Sequence, residues 1–144
     1  MLKVMSILGL LLMIGALVGL YKIGVLLTPQ PIAIALQLVA VALMIWARVT
    51  FGRRSFHAAA NPTAGGLVTS GPYRIIRHPI YTAACLFGWS AIVVHWSLVS
   101  VALGILLILG ALVRIMCEEP LVKQKYPEYV EYAKVTKRMV PYLF

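Results

Sequence analysis

The sequence predicts an all-α, multi-pass membrane protein: a bundle of four transmembrane helices, the last two forming a hairpin, followed by a cytoplasmic C-terminal amphipathic helix. Two features of the composition support this prediction. Of the 144 residues, 62% are hydrophobic, whereas soluble domains contain about 45–50%. Charged residues make up only 12%, and they lie between long apolar runs. Because a domain of this length cannot bury so much apolar surface, the composition excludes a water-soluble enzyme.

The first two predicted spans are residues 4–21 and 32–47. The first contains 18 residues without a charge, close to the roughly 20 that cross a hydrocarbon core as a helix. We expect it to remain in the mature protein because it carries no clear A-x-A cleavage pattern. Residues 28–31 include two prolines that break the helix, and the second apolar run ends at Arg48.

The third and fourth spans are predicted to form a helical hairpin. Between His78 and Arg114 lie 35 residues in which His95 is the only ionisable side chain apart from a tyrosine and a cysteine. As a single helix they would be about 52 Å long, too long for a hydrocarbon core of about 30 Å. We therefore expect a turn near His95, with spans from about 80 to 94 and from about 98 to 113.

The basic residues predict how the helices are oriented. The sequence has 13 Lys and Arg against four Glu, for a formal charge of +9, and twelve of the 13 fall before span one, between spans two and three, or after span four. By the positive-inside rule, both termini and the long loop are then cytoplasmic. The charge therefore implies membrane lipids as partners and no nucleic acid. The sequence indicates no oligomeric state.

We expect a single membrane domain, residues 1–144, in which two N-terminal helices (1–47) precede a core made of a loop (48–78), the hairpin (79–113) and a tail (114–144). With only two cysteines and no Asp, no disulfide framework or metal site is expected. The loop is about twice the length at which a structureless loop becomes unusual, which favours a functional role. Its glycines do not match the dinucleotide-binding pattern G-x-G-x-x-G.

The tail is predicted to contain an amphipathic helix. Four residues share one helical face at spacings of three, four and seven: Tyr126, Tyr129, Val130 and Ala133. Pro127 suits the first turn of this helix, and Pro141 ends it. We expect the helix to lie on the inner leaflet and to have a covering function.

Chemically active side chains flank the third and fourth spans. Glu118 and Glu119 follow span four, and Arg114 lies one turn before Glu118. A helical ion pair would explain them, but Arg preceding Glu is the less favourable order for helix stability. Aromatic and basic residues surround the start of span three: Tyr73, Arg74, Arg77, His78 and Tyr81. Because a hairpin brings these two helix ends together, the mixed set predicts a site.

The segment from Leu67 to Tyr81 carries a long motif. It contains the pattern G-x-Y-x-x-x-R-H-P-x-Y and closely resembles the signature of the isoprenylcysteine carboxyl methyltransferase family, whose relatives include phospholipid N-methyltransferases. Further features of that family follow in the expected order: Arg114 to Glu119, Tyr126 to Tyr132, and Arg138 to Pro141. The resemblance covers about residues 48 to 144.

The resemblance implies a membrane enzyme that binds S-adenosylmethionine between the hairpin and the tail. It would transfer the methyl group to a lipidic or prenylated small substrate and release S-adenosylhomocysteine. The cofactor-binding residues implied in this way are Gly65, Gly66, Leu67, Val68, Tyr73, His78, Pro79, Ile80, Tyr81 and Glu118. Arg114 is implied as the catalytic residue that faces the acceptor, and no metal is needed.

The bases that the sequence offers favour one kind of acceptor group over another. A carboxylate is already ionised and needs no base, whereas an ammonium must first lose a proton, a task that only a group such as His78 or Glu119 could perform. This favours carboxyl O-methylation of an isoprenylcysteine-like substrate. Two alternatives stay open: a phospholipid or small-amine N-methyltransferase, and a non-catalytic membrane scaffold with the same fold.

Overall fold

The computed structural model describes residues 1–52 and 65–144, and within them the fold is all-helical, as predicted. The α-helices are α1 (Leu2–Lys22), α2 (Pro31–Phe51), α3 (Pro79–Val94), α4 (Leu98–Lys125) and α5 (Tyr129–Val135), with a 3₁₀ turn at Gly71–Arg74. The middle of the predicted loop, residues 53–64, lies outside the described residues.

Three of these helices, α1, α2 and α4, are long and apolar enough to cross a membrane. Helix α3 is apolar but has 16 residues, about 24 Å of helix against a core of about 30 Å. Helix α4 has 28 residues and continues beyond the predicted span 98–113. Arg114, Glu118 and Glu119 therefore lie on a continuous helix rather than in a separate tail.

The helices pack in the order α1, α4, α3, α2. Helix α1 lies along α4 and α2 lies along α3, whereas α1 and α2 are not packed along each other. The close approach of α2 to α3 depends on small residues, because Ala33, Ala40 and Ala47 recur every seven residues on α2 and are almost fully buried. Because α1 and α2 are not packed along each other, a space remains between them.

Two hydrogen bonds mark the opposite ends of the bundle. At one end, here called the site end, Arg114 Nη1 donates to the Ser6 carbonyl at 3.1 Å. At the other end, Thr28 Oγ1 and His95 Nε2 lie 2.6 Å apart. The N-terminus and the segment that precedes α3 therefore lie at the same end of the bundle as the part of α4 that carries Arg114, Glu118 and Glu119.

Helices α1 and α4 approach most closely where two glycines face each other. A Cβ atom on Gly110 would lie 2.7 Å from the Gly9 carbonyl oxygen, and one on Gly9 would lie 2.9 Å from the Gly110 carbonyl oxygen. Neither distance can be tolerated without a shift of backbone. The contact matters for the site because Ser6 and Arg114 each lie within one turn of it.

Replacing Gly110 by alanine is expected to destabilise the protein by about 1–3 kcal/mol, because overpacking forces two backbones apart. The matched control is Gly15→Ala on α1, where an added Cβ meets nothing within 4 Å. Unfolding of both variants in detergent would be compared with that of the parent chain. Equal stability of the two variants would show that the backbones of α1 and α4 are not in close contact at Gly9 and Gly110.

Candidate active site

A cavity of about 370 Å³ opens at the site end, a volume typical of small-molecule sites. Its polar arm is lined by charged and aromatic residues: Arg48, Tyr73, Arg77, His78, Tyr81, Arg114, Glu118, Glu119, Tyr126, Tyr129 and Tyr132. Its apolar arm is lined by Leu10, Met13, Ile14, Leu17, Met44 and Ala84. The apolar residues lie farther from the site end than the polar residues do. The two arms therefore meet near Tyr81 and Arg114.

The structure brings together nearly all the residues that the sequence analysis selected. Arg114 lines the cavity, as do nine of the cofactor-binding candidates: Gly66, Leu67, Val68, Tyr73, His78, Pro79, Ile80, Tyr81 and Glu118. Gly65 does not line it and is exposed. The two helix ends of the hairpin therefore enclose one shared space, and its remaining walls are the 3₁₀ turn, the tail, α1 and α2.

Arg114 is the centre of a buried network where the two arms meet. It is 5% exposed, and its Nε donates to the Tyr81 hydroxyl at 2.7 Å while Nη2 donates to Glu118 Oε1 at 3.0 Å. The Tyr81 hydroxyl also donates to Glu118 Oε1. With the Ser6 carbonyl as a further acceptor, the guanidinium is held from three helices and its plane is fixed.

A second network, the Glu119 cluster, ties the tail to the bundle. The Glu119 carboxylate accepts from Arg77 Nε at 3.0 Å, from the Tyr129 hydroxyl at 3.1 Å and from Arg138 Nη2 at 3.2 Å, and His78 Nε2 lies 3.4 Å away. The Glu119 side chain is only 8% exposed, so it depends on these partners to offset its desolvation. From the sequence, Glu119 is predicted only as a possible base, and its role in this cluster is not evident because its partners are distant in sequence.

The tail helix is shorter than predicted. The sequence predicts a helix from near Pro127 to Pro141, whereas α5 ends at Val135. The residues that follow pair with the segment before α3 in a parallel bridge between Ile76 and Lys137, with Arg77 N donating to the Lys137 carbonyl at 2.7 Å. These backbone bonds compete with helix formation and fix the tail across the site end.

The Arg77 side chain also holds the end of α5. Its Nη1 donates to the Ala133 carbonyl at 3.0 Å and to the Thr136 carbonyl. The helical face predicted for the tail is only partly buried, because Tyr129 is 4% exposed and Val130 is 48% exposed. The buried side of α5 is therefore built around tyrosines that face the cavity.

Four tyrosines form an aromatic wall on the polar arm: Tyr73, Tyr126, Tyr129 and Tyr132. The Tyr132 hydroxyl donates to the Tyr73 carbonyl at 2.6 Å, and the Gly66 amide donates to the Tyr126 hydroxyl at 3.3 Å. Burial raises the pKa of Tyr132 to about 12. Burial also raises the pKa of Tyr73 and, together with the charge of Glu119, that of Tyr129, so these hydroxyls remain protonated donors at neutral pH.

Aromatic faces beside carboxylates suit a cationic ligand that also carries a planar ring. The backbone of Gly66 is open to such a ligand, since a Cβ there would meet nothing within 4 Å. Among the residues that the structure describes, no group of three His, Cys, Asp or Glu side chains is placed to hold a metal ion.

Comparisons with known proteins identify a relative and a family. A stretch of 80 residues, 54% of this chain, is 36% identical to the cobalt-zinc-cadmium resistance protein CzcN of Cupriavidus metallidurans, and it covers 36% of that relative's length. No solved structure gives a significant match. The family model for phospholipid methyltransferase matches residues 31–129, which include α2, α3, α4 and most residues of the cavity. The chain therefore belongs to the phospholipid methyltransferase family of membrane methyltransferases, which confirms the resemblance found in the sequence.

Proposed function

We propose that this membrane methyltransferase uses S-adenosylmethionine and methylates a lipidic acceptor, most favourably the carboxylate of an isoprenylcysteine-like substrate. The observation that supports this most strongly is the buried Arg114 network at the meeting point of a polar and an apolar arm. In this proposal the cofactor occupies the polar arm and the acceptor chain occupies the apolar arm. Both termini and the site face the cytoplasm, where the basic residues concentrate.

The residues of the polar arm suit this cofactor. The backbone of Gly66, Leu67 and Val68 would hold its nucleoside against Tyr73, as the family resemblance implies. His78, Pro79, Ile80 and Tyr81 would form the opposite wall. When bound, the cofactor supplies an electrophilic methyl group on a sulfonium. Glu118, exposed at 22% of its side chain, would accept hydrogen bonds from the cofactor's ammonium group.

Arg114 would hold the acceptor. Its guanidinium is buried, and its planar fork of donors matches the geometry of a carboxylate. Fixing donor and acceptor at a reactive separation of about 3–3.5 Å is the main task in an in-line displacement. A carboxylate acceptor is already ionised, so its methylation needs no base. The chain therefore offers a positioning group for a carboxylate more readily than a base for an ammonium.

A second candidate function is methylation of a phospholipid or small-amine nitrogen. The family model itself, that of phospholipid methyltransferase, favours it. The Glu118 carboxylate beside Arg114 could attract an ammonium headgroup, and His78 would then be the base. The two candidates differ in the product, an ester or a methylated amine. A non-catalytic scaffold would give neither product.

The cofactor site is tested by titrating S-adenosylhomocysteine into the purified protein and following heat release. We expect Glu118→Ala and His78→Ala to weaken binding by about tenfold or more, since a hydrogen bond to a charged group contributes about 1.5–3 kcal/mol. Glu128→Ala, at an exposed position of the tail, is the matched control and should bind like the parent chain. Equal binding by all four proteins would refute the assignment of the polar arm.

A further inference from the structure

The wall that α1 contributes to the cavity is a regular apolar stripe. Leu10, Met13, Ile14 and Leu17 all line the apolar arm, and their spacing of three, four and seven residues places them on one face of the helix. Met44 on α2 and Ala84 on α3 complete the arm. The arm is thus bounded by hydrocarbon from three helices.

Helix α1 lies outside residues 31–129, the part of the chain that the family model matches. It nevertheless supplies most of the apolar arm and the carbonyl that holds Arg114. Because α1 and α2 are not packed along each other, the arm occupies the space between them. The shape of the arm therefore depends largely on α1, which lies outside the residues that the family model matches.

The arm has a definite far end. Leu17 packs against the buried cluster that contains Leu20 and Ile92, both 0% exposed, so no space continues beyond it. A Cβ added at Gly88 on α3 would lie 3.6 Å from Leu17 Cδ2 and 3.6 Å from Leu20 Cδ1. From Ser6, beside Arg114, to Leu17 is eleven residues, about 16 Å along the helix.

We infer that the apolar arm binds a single hydrocarbon chain of the acceptor and that Leu17 and Ala84 set the longest chain it accepts. The inference rests on the proposed function in one respect, namely that this hydrocarbon chain belongs to the methyl acceptor. The polar end of the ligand lies at Arg114 and the chain runs along the α1 stripe. Leu17 forms the end of the arm and Ala84 sets its width beside the α3 backbone.

The experiment uses straight-chain fatty acids, because their carboxylate can pair with Arg114 and no methyl transfer is required. Binding of a series from octanoate to stearate is measured with the full chain in lipid nanodiscs, for the parent, Leu17→Ala and Ala84→Leu. Leu11→Ala is the matched control, since Leu11 is 57% exposed on α1 and does not line the cavity. Each fatty acid also partitions into the lipid of the nanodisc. This partition is the same for all the proteins, so it cancels when a variant is compared with the parent.

Because the fatty-acid chain already lies in hydrocarbon in the nanodisc, we expect the affinity of the parent, relative to partition into the lipid, to stay nearly constant until the arm is filled and to fall for longer chains. Leu17→Ala should move this limit to longer chains and Ala84→Leu to shorter ones, whereas Leu11→Ala should leave it in place. Opposite shifts cannot arise from a general loss of folding. An unchanged limit in both variants would overturn the inference.

The outcome is separable from that of the proposed function. If S-adenosylhomocysteine binds and the chain-length limit does not respond to either variant, the acceptor chain lies outside the apolar arm, and only the methyl transfer of the proposed function stands. If the limit shifts as expected but S-adenosylhomocysteine does not bind, the apolar arm is a chain-binding site and the proposed methyl transfer fails.

Discussion

Replacing Glu119 by alanine is expected to lower the free energy of unfolding by about 3–5 kcal/mol, because it breaks a buried ion-pair cluster by removing one member. The Arg77 side chain, 9% exposed, would keep its charge without the carboxylate. Arg138 and Tyr129 would lose their shared acceptor. The tail should detach from the site end, so that protease cleavage after residue 125 becomes faster.

The matched control is Glu131→Ala, the same change in an exposed pair. Glu131 and Lys134 are 2.6 Å apart, with side chains that are 73% and 64% exposed, and such pairs contribute about 0–1 kcal/mol. Unfolding in detergent and limited proteolysis of the tail are measured for both variants. If Glu119→Ala is no less stable than Glu131→Ala, the tail is not held by the Glu119 cluster.

Replacing Arg114 by methionine is expected to reduce methyl transfer by about 10²–10³-fold, the loss typical when one preorganised electrostatic contact of an active site is removed. Methionine keeps much of the side-chain volume but loses the fork of donors that reaches Tyr81, Glu118 and Ser6. Arg114→Lys should also be impaired, since a lysine cannot reproduce the planar fork. The rate is measured at saturating cofactor with a prenylcysteine analogue.

Arg74→Met is the control for this series, because Arg74 is exposed and does not line the cavity. Binding of S-adenosylhomocysteine identifies variants that remain folded. A folded Arg114→Met protein with the parent rate would remove Arg114 from the mechanism and leave the acceptor contact to another residue.

The helices of the bundle could be predicted because their signal is local. A run of apolar residues that ends in a charge or a proline gives a helix, and the second span, predicted as 32–47, is found within α2, Pro31–Phe51. The convergence of His78 and Arg114 also follows from the sequence. A hairpin turn near His95 places the start of α3 beside the end of α4.

The contacts that complete the site could not be predicted, since they join residues that no local pattern connects. The Ser6 carbonyl on α1 accepts from Arg114, 108 positions later, and an apolar run gives no sign that one of its carbonyls is used. Arg77 and Glu119 are 42 positions apart. The early end of α5 depends on the bridge between Ile76 and Lys137, which helical periodicity within the tail cannot reveal.

The most direct test of the account is to incubate the purified protein with S-adenosylmethionine labelled in its methyl group and a prenylcysteine analogue. The account predicts label in the lipid product as a methyl ester, released as methanol by mild alkali and reduced to background by S-adenosylhomocysteine. Label that resists alkali in an amine product of a membrane lipid extract, or no label in any acceptor, would contradict it.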